Sequence, residues 1–477
     1  MVFSTLIFLA GFLPLFLLGY MLIPKSLKSV KNIYLLVTSI IFYSWGGPKF
    51  IFVILATTFV DFFLVGLMDK ATEKGKKKIL LVFSLCINLG LLFYFKYCNF
   101  FIDSFNQVFT QIGIGEIKAL NVVLPIGISF YTFESITYAV DVYRKVHKPL
   151  KSFLDYQLYI IFFPKLIAGP IVRYHEISDQ IDDRTANETT ENRLAGFYRF
   201  VIGLSKKVII ANAMAAQADG IFDGNLAQID WSTAWLAALA YTFQIYFDFS
   251  GYSDMAIGIA KMVGFKLPEN FNNPYISGSI TEFWRRWHIT LGSWMRNYLY
   301  IPLGGNRVSK SRIFFNLWLV FVFSGLWHGA SWNFIIWGVY HGIFIVLEKG
   351  FLLNIYSKIG RIPSILINFI IVVIGWVFFR LENFSDAVLV IKKMLWLDTN
   401  GNSATLNADF LFMLIPAILF SIFAITSKTE GLQTKIFEGK FNPKEHLAAI
   451  IITLVLFGLS LSYIVSASYN PFIYFRF

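Results

Sequence analysis

The chain has 477 residues, of which 56% are apolar and only 15% are charged, and its mean hydropathy is +0.62. A soluble domain carries about 25% charged residues, so this composition excludes a soluble globular protein and predicts an integral membrane protein. The net charge of +12 comes from basic residues in short loops between apolar segments. Such loops are typical of the cytoplasmic side of a membrane protein and give no support to nucleic-acid binding.

The N-terminal third predicts a series of membrane spans with alternating loops. Residues 3–23 form an apolar run that is too long for the core of a signal peptide and lacks a small-residue cleavage site, so we interpret it as the first span. Basic residues concentrate in the loops at 24–31, 69–78 and 142–151, whereas the loops at 46–48 and 99–119 are poor in lysine. The positive-inside bias therefore predicts that the N-terminus lies outside.

The middle of the chain is less regular. Residues 156–171 are apolar but are interrupted by two prolines and a glycine, which predicts a re-entrant or unwound segment. Residues 179–193 are the most polar stretch of the chain, which predicts an exposed loop or a surface helix. Residues 194–222 and 234–263 are each long and apolar enough to span the membrane.

The C-terminal half predicts five further spans, at 313–327, 332–347, 363–379, 410–425 and 447–464. The basic segment 428–444 is interpreted as cytoplasmic, which places the C-terminal tail outside. In total we expect an all-α polytopic membrane protein with about eleven transmembrane helices. No internal repeat is evident, which disfavours a transporter built from inverted repeats.

Residues 265–312 form the least lipid-like block, rich in Pro, Asn, Gly and Arg. At helical spacing Trp284, Trp287 and Leu291 share one face, while Arg285 and Arg286 point elsewhere. The arginines are suited to anionic headgroups or to a phosphorylated cofactor. An interfacial amphipathic helix that only anchors the fold explains the same pattern equally well.

His328 is the most informative residue, because long apolar runs at 314–323 and 334–347 flank it. An ionisable side chain at membrane depth is costly unless it faces a cavity or a partner, so it indicates a functional site. A neutral imidazole accepts a proton from a hydroxyl or thiol and returns it later. His288 is a second candidate. The alternative is a core histidine satisfied by a backbone carbonyl, and this is our interpretation of His341.

Asp248, Ser250 and Asp254 are polar residues within another apolar region. They are expected either to line the same cavity or to pack helices together through polar contacts. The sequence contains no nucleophile elbow, Walker loop or His-Glu-x-x-His motif, which argues against hydrolase, ATPase and zincin functions. No Cys and His residues are grouped at metal-ligand spacing, so no metal is expected, and Cys86 and Cys98 are interpreted as buried free thiols.

Five blocks of the chain resemble the membrane-bound O-acyltransferases (MBOAT), in particular the alginate O-acetylation branch and its peptidoglycan- and exopolysaccharide-acetylating relatives. These blocks are residues 163–173, 244–254, 283–305 and 327–342, and the tail at 470–477. The resemblance implies that His328 is the essential histidine and that His288 occupies a second active-site position. It also implies one domain over residues 1–477, with its core at about 120–350 and an aromatic tail at 468–477.

The resemblance implies transmembrane helices, with re-entrant or interfacial helices, around a central funnel in a bacterial cytoplasmic membrane. It further implies transfer of an acyl group, usually acetyl from acetyl-CoA, across that membrane. The phosphates of this donor need cations, for which the candidates are Lys206, Lys207, Arg285, Arg286, Arg307 and Lys310. The residues expected to line the cavity are Asp248, Ser250, Trp327 and Asn297.

In this branch the acceptor is commonly an extracytoplasmic partner of the SGNH type, which finally acetylates a polysaccharide. Tyr474, in the aromatic tail, is a candidate relay for the acyl group, and an interfacial aromatic anchor is the alternative. Rival functions are D-alanyl transfer to teichoic acids from a carrier-protein thioester and acylation of a lipid or sterol. From other classes, a polysaccharide flippase or exporter and a scaffold need no chemistry at His328.

Overall fold

A computed structural model describes residues 1–113, 115–118, 120–398, 400–466 and 472. These residues are almost entirely helical and contain no β-strand beyond two isolated bridges, which confirms the all-α prediction. Their contacts group into two compact units, Met1–Arg193 with Ile259–Pro268, and Leu194–Gly258 with Glu269–Phe477. The assignment of residues 1–477 to one domain stays a prediction.

The N-terminal unit contains nine helices in its described part. They are α1 (Leu13–Leu22), α2 (Lys28–Ser44), α3 (Phe50–Lys70), α4 (Lys74–Leu92), α5 (Cys98–Gln111), α6 (Ile128–Tyr143), α7 (Phe153–Ile161), α8 (Phe163–Leu166) and α9 (Tyr174–Asp182). The π-helical segments Ile7–Phe12 and Phe93–Tyr97 lie before α1 and α5, and a 3₁₀ turn, Thr185–Asn187, follows α9.

The composition of the polar stretch at 179–193 predicts an exposed loop or a surface helix, but part of this stretch is buried. Arg184 and Glu188 are both buried. Glu188 forms an ion pair with Lys31 and accepts a hydrogen bond from the Tyr20 hydroxyl at 2.7 Å, while Arg184 donates to Asn32 at 2.7 Å. The charges are buried because α1 and α2 supply partners for them, and buried charges persist in proteins when they are paired and hydrogen-bonded.

The segment at 156–171 is interrupted, as the sequence predicts. The chain breaks at Phe162 (φ −49°, ψ 107°) between α7 and α8, and Pro164 lies in the first turn of α8, where a missing N–H costs no helical bond. Lys165 is fully buried and forms an ion pair with Glu134 on α6. Protein therefore surrounds this irregular backbone, which is the condition for such backbone within a membrane.

The helices of the C-terminal unit begin with α10. Both α10 and α12 also contain residues of the N-terminal unit. The helices are α10 (Thr190–Ser205), α11 (Asn212–Phe222), α12 (Trp231–Met262), α13 (Ile280–Arg286), α14 (Ile289–Trp294), α15 (Lys310–His328), α16 (Trp332–Leu347), α17 (Leu353–Ile359), α18 (Arg361–Arg380), α19 (Phe384–Met394), α20 (Ala408–Ser421), α21 (Ser427–Glu438) and α22 (Pro443–Ser466). Further π-helical segments are Lys206–Ala211, Met295–Tyr300 and Glu348–Leu352, and 3₁₀ turns are Leu226–Gln228, Pro274–Ile276 and Phe423–Ile425.

Six helical segments of the described chain are long and apolar enough to cross a membrane. They are Phe50–Lys70, Lys74–Gln111, Trp332–Ile359, Arg361–Arg380, Ala408–Ile425 and Pro443–Ser466. The first predicted span is divided into a π-helical segment and a short α1, and α12 carries charged residues, so the figure of eleven stays a prediction. Cys86 is exposed on the apolar helix α4, so its prediction as a buried thiol is wrong. An apolar span presents such residues to lipid rather than to a core.

Candidate active site

Helix α13 leads directly to His288 and is stabilised at its N-terminus by two side chains. Ser279 caps the helix by accepting a hydrogen bond from the backbone N–H three residues on, at 3.0 Å. The carboxylate of Glu348 accepts hydrogen bonds from the backbone N–H groups of Ile280 and Thr281, at 2.5 and 2.8 Å. A carboxylate at a helix N-terminus satisfies unpaired N–H groups and complements the helix dipole. Glu348 therefore determines where α13 begins.

The backbone turns sharply after α13. The helix ends at Arg286, Trp287 is extended, and His288 has left-handed torsion angles (φ 45°, ψ 53°). The prediction that Trp284, Trp287 and Leu291 share the face of one helix is therefore wrong, because the break at His288 places Leu291 on α14. A non-glycine residue in this region is strained, and such strain concentrates at functional sites.

Asn270 holds His288 in one orientation. Oδ1 of Asn270 accepts hydrogen bonds from Nδ1–H of His288 at 3.1 Å and from the Thr290 hydroxyl at 2.9 Å, and its backbone carbonyl accepts from the N–H of Ile289 at 3.0 Å. Because Nδ1 donates, the lone pair of the ring lies on Nε2, which has no hydrogen-bond partner in the described structure. Burial lowers the pKa of His288 to about 3, so the ring is neutral and can accept a proton or a hydrogen bond.

His328 lies at the C-terminal end of α15, where glycines allow α15 and α16 to approach closely. A Cβ on Gly325 would lie 2.2 Å from the carbonyl oxygen of Phe334, and one on Gly338 would lie 2.3 Å from a carbonyl of α15. A Cβ on Gly329, directly after His328, would lie 2.0 Å from the Phe334 ring. Small residues bring membrane helices together in this way. The close packing of this helix pair therefore fixes the position of His328.

The two histidines lie close together in the C-terminal unit. Their ring centroids are 6.4 Å apart, and the ring of Trp327 lies 4.9 Å from His328 and 5.9 Å from His288. A cavity of about 10 Å³ adjoins His328, which is close to the smallest volume that holds one water molecule. The other residues that line it are Ile245, Phe249, Trp287, Trp337, Trp376 and Phe379. A pair of buried imidazoles in an aromatic pocket is suited to proton transfer away from bulk water.

Comparison with protein families identifies the family of the chain. The profile of the membrane-bound O-acyltransferase family (MBOAT) matches residues 40–384. The chain belongs to the membrane-bound O-acyltransferase family. It is therefore a multi-pass membrane protein and an acyltransferase.

The relatives of this O-acyltransferase are named for alginate, peptidoglycan and teichoic acid. The chain is 38% identical to the probable alginate O-acetylase AlgI of Azotobacter vinelandii, over the full length of both proteins. It is 37% identical to the peptidoglycan O-acetyltransferase of Helicobacter pylori, over 83% of this chain and 80% of that protein. The teichoic acid D-alanyltransferase of Bacillus subtilis is 32% identical over 48% of this chain and 60% of that protein.

Two of the predicted donor-binding cations of this O-acyltransferase have carboxylate partners. Nζ of Lys206 lies 2.6 Å from a carboxylate oxygen of Asp254, and Nζ of Lys207 lies 2.8 Å from one of Asp248. Lys207 and Asp248 are both buried. These ion pairs compensate buried charges within the C-terminal unit. They therefore weaken the case for Lys206 and Lys207 as phosphate ligands.

The remaining cations of the O-acyltransferase lie in or after α13. Arg286 donates to Glu282 at 3.0 Å, one turn earlier on the same helix. Arg285 and Arg307 are exposed and form no ion pair within the described residues. Lys310 lies 5.8 Å from the ring of Phe314. Arg285, Arg307 and Lys310 are therefore the cations of this set with charge available for an anionic ligand.

The four residues predicted to line a cavity of the O-acyltransferase do not surround the small cavity beside His328. Trp327 contacts both histidines, and Ser250 is buried on α12. Asp248 is buried beside Lys207, and Asn297 is half-buried in the π-helical segment Met295–Tyr300. None of the four lines the small cavity beside His328. Aromatic side chains fill that space, because Trp and Phe rings from α12, α16 and α18 converge there with Trp287.

His341 is expected to form a hydrogen bond with a backbone carbonyl, but the structure shows a different environment. It is fully buried, and neither ring nitrogen has a hydrogen-bond partner in the described structure. The rings of Trp284, Trp337 and Tyr340 lie 5.0 to 5.2 Å from it. Aromatic packing therefore takes the place of the expected hydrogen bond.

Sequence reasoning missed Asn270 and Glu348, which orient His288 and α13. They lie 18 and 60 positions away from His288 in the chain, and no periodic pattern connects them to it. Tyr474 lies outside the described residues. Phe472 is described and buried, and its ring lies 4.9 Å from that of Tyr252 on α12.

Proposed function

We propose that this protein transfers an acetyl group from cytoplasmic acetyl-CoA across a bacterial cytoplasmic membrane, for O-acetylation of an extracytoplasmic polysaccharide. A partner acetyltransferase of the SGNH type completes the transfer to the glycan. The observation that carries the proposal is the pair of buried histidines 6.4 Å apart, one of which is held as a neutral acceptor by Asn270. The names of the relatives support acetyl as the acyl group.

The chemistry requires a base in a dry site. The imidazole of His328 accepts the proton of an attacking hydroxyl as the hydroxyl oxygen bonds to the carbonyl carbon of the thioester. The carbon–sulfur bond then breaks, and the proton passes to the departing thiolate, so that His328 returns to its neutral form. His288 accepts a hydrogen bond at Nε2 and orients the hydroxyl, since its Nδ1–H is occupied by Asn270.

The donor site is proposed on the side of the basic loops. Arg285, Arg307 and Lys310 are exposed and form no ion pair within the described residues, so they are the preferred ligands of the CoA phosphates. Arg286, Lys206 and Lys207 each have a carboxylate partner and contribute less to this role.

The experiment is transfer of labelled acetyl from acetyl-CoA in membranes that contain this protein and its candidate partner. We expect label on the partner or the glycan with the wild type and none with His328→Ala. His446→Ala, at the start of α22, is the matched control and retains transfer. Equal labelling with wild type and His328→Ala would contradict the mechanism and favour a flippase or scaffold. Label only from a D-alanyl carrier-protein thioester would assign the chain to the D-alanyl branch.

Tyr474 is proposed to relay the acetyl group from the histidine site to the partner. Its phenolic hydroxyl is the attacking group in the step above and then gives the acetyl to the partner. We expect Tyr474→Phe, which retains the aromatic ring, to abolish transfer, with Phe472→Tyr as a control for changes in the tail. Unchanged transfer by Tyr474→Phe would leave the residue as an interfacial anchor.

A further inference from the structure

A second, larger cavity lies in the C-terminal unit and has no part in the chemistry above. Its volume is about 400 Å³, and it lies where the end of α10, the π-helical segment Lys206–Ala211, α12, α20, α21 and α22 meet. Empty spaces of this size are rare in protein interiors, which are packed about as densely as organic crystals. The cavity therefore predicts a ligand.

The lining of the cavity is suited to a hydrocarbon chain. Apolar side chains dominate it, among them Ile202, Ile210, Met413, Phe420, Ile436 and Leu456. Four of its polar side chains are paired with one another. Lys206 pairs with Asp254 at 2.6 Å, and Asn273 donates to Gln433 at 2.7 Å. Ordered water needs two to four polar partners, so an apolar ligand fits this lining better than water does.

The cavity opens towards the position of the lipid. Phe420 on α20 and Leu459 on α22 line it, and their side chains are 54% and 49% exposed. Both helices belong to segments long and apolar enough to cross a membrane. Exposed apolar residues on such helices face acyl chains. A lipid chain therefore has a direct route into the cavity between α20 and α22.

The thioester donor is a weaker candidate for this space. Phe271 lines the large cavity, and Phe249 lines the small cavity beside His328. Their rings contact each other with centroids 4.8 Å apart, and Phe249 in turn lies 4.8 Å from His288. These two rings lie between the large cavity and the histidines. A donor in the large cavity would have to displace these rings to bring its thioester to the proposed base.

We propose that this cavity binds one fatty-acyl chain of a bilayer phospholipid. At about 30 Å³ per water-sized group, the volume holds on the order of a dozen such groups, which suffices for the greater part of an acyl chain. The bound chain fills the space between α20, α21 and α22 and the π-helical segment. This site is independent of the acyl donor and of the polysaccharide acceptor.

The test uses the full-length protein in phosphatidylethanolamine–phosphatidylglycerol vesicles that contain a phospholipid with a diazirine at the middle of one acyl chain. After irradiation, labelled peptides are mapped by mass spectrometry. We expect label on Ile210, which is buried and lines the cavity, so that lipid surrounding the protein cannot reach it. Absence of label on Ile210 in the wild-type protein overturns the proposal.

Two matched variants on α22 identify the labelled space. Leu456→Trp fills the cavity and is expected to remove the label from Ile210, whereas Leu454→Trp, at a 56% exposed position that does not line the cavity, retains it. Loss of label in both variants, or displacement of the label by acetyl-CoA, overturns the proposal. If Leu456→Trp does not fold, the wild-type map and the acetyl-CoA competition still decide. The labelling needs no acetyl transfer, so its failure is distinct from failure of the proposed function.

Discussion

Replacement of Asn270 tests whether the orientation of His288 matters for transfer. Asn270 is buried, and its Oδ1 is the acceptor for Nδ1–H of His288 and for the hydroxyl of Thr290. Asn270→Ala removes this acceptor without touching either histidine. The imidazole of His288 then loses the hydrogen bond that fixes its orientation.

The expected loss follows from the cost of an unsatisfied buried donor. Leaving Nδ1–H of His288 without an acceptor costs about 1–3 kcal/mol. If the wild-type orientation is required in the transition state, this cost raises the barrier, and each 1.36 kcal/mol changes the rate about tenfold. We therefore expect turnover by Asn270→Ala to fall about 5- to 160-fold.

The assay is the initial rate of acetyl transfer at saturating acetyl-CoA, together with the melting temperature of each purified variant. Thr290→Val is the matched control, because it removes the hydrogen bond from the Thr290 hydroxyl to Oδ1 of Asn270 and leaves that oxygen as the acceptor for Nδ1–H of His288. We expect Thr290→Val to retain more activity than Asn270→Ala. A folded Asn270→Ala variant with the wild-type rate would refute the argument about the tautomer.

Three further predictions concern packing and buried charge in the C-terminal unit. Gly338→Ala forces a Cβ to within 2.3 Å of a backbone carbonyl on α15, so we expect the free energy of unfolding to fall by about 1–3 kcal/mol and transfer to be lost. Gly66→Ala is the control, because a Cβ there has no atom within 4 Å, and it should retain both stability and transfer. His341→Phe keeps the aromatic packing and removes no hydrogen bond, so transfer and melting temperature should stay near wild type, and abolished transfer would mean that His341 takes part in the chemistry. Lys207→Met leaves Asp248 buried without this ion pair, so we expect the free energy of unfolding to fall by about 3–5 kcal/mol, measured by thermal unfolding. The double variant with Asp248→Leu should recover most of this loss. A double variant that is stable but does not transfer acetyl would mean that the pair has a role in binding.

The helical architecture and His328 were predictable from the sequence for the same physical reason. A chain in lipid must satisfy its backbone hydrogen bonds within helices, so long apolar segments indicate spans directly. A single ionisable residue between two such segments is conspicuous, because its cost demands an explanation. The local sequence alone therefore predicts a functional role for His328.

The environment of His288 was not predictable in this way. Helical spacing placed Trp284 and Leu291 on one face, but the left-handed backbone at His288 ends the helix between them. That conformation depends on hydrogen bonds to Asn270, whose position relative to His288 follows from the fold and not from a repeat. The identity of the donating ring nitrogen, on which the proposed chemistry depends, is a property of this tertiary contact.

The pairing of the candidate cations was also not predictable from local sequence, and this pairing decides which residues can form the donor site. The sequence alone gives no reason to prefer one of the candidate cations over another. Their distances to carboxylates in the folded chain decide which of them can bind an anionic donor. Lys206 pairs with a residue 48 positions away, whereas Arg286 pairs with one only four positions away. Local spacing makes the second pair foreseeable but not the first. Arg285, Arg307 and Lys310 stand out as ligands for an anionic donor because the fold gives them no acidic partner among the described residues, and not because their local sequence differs from that of the others.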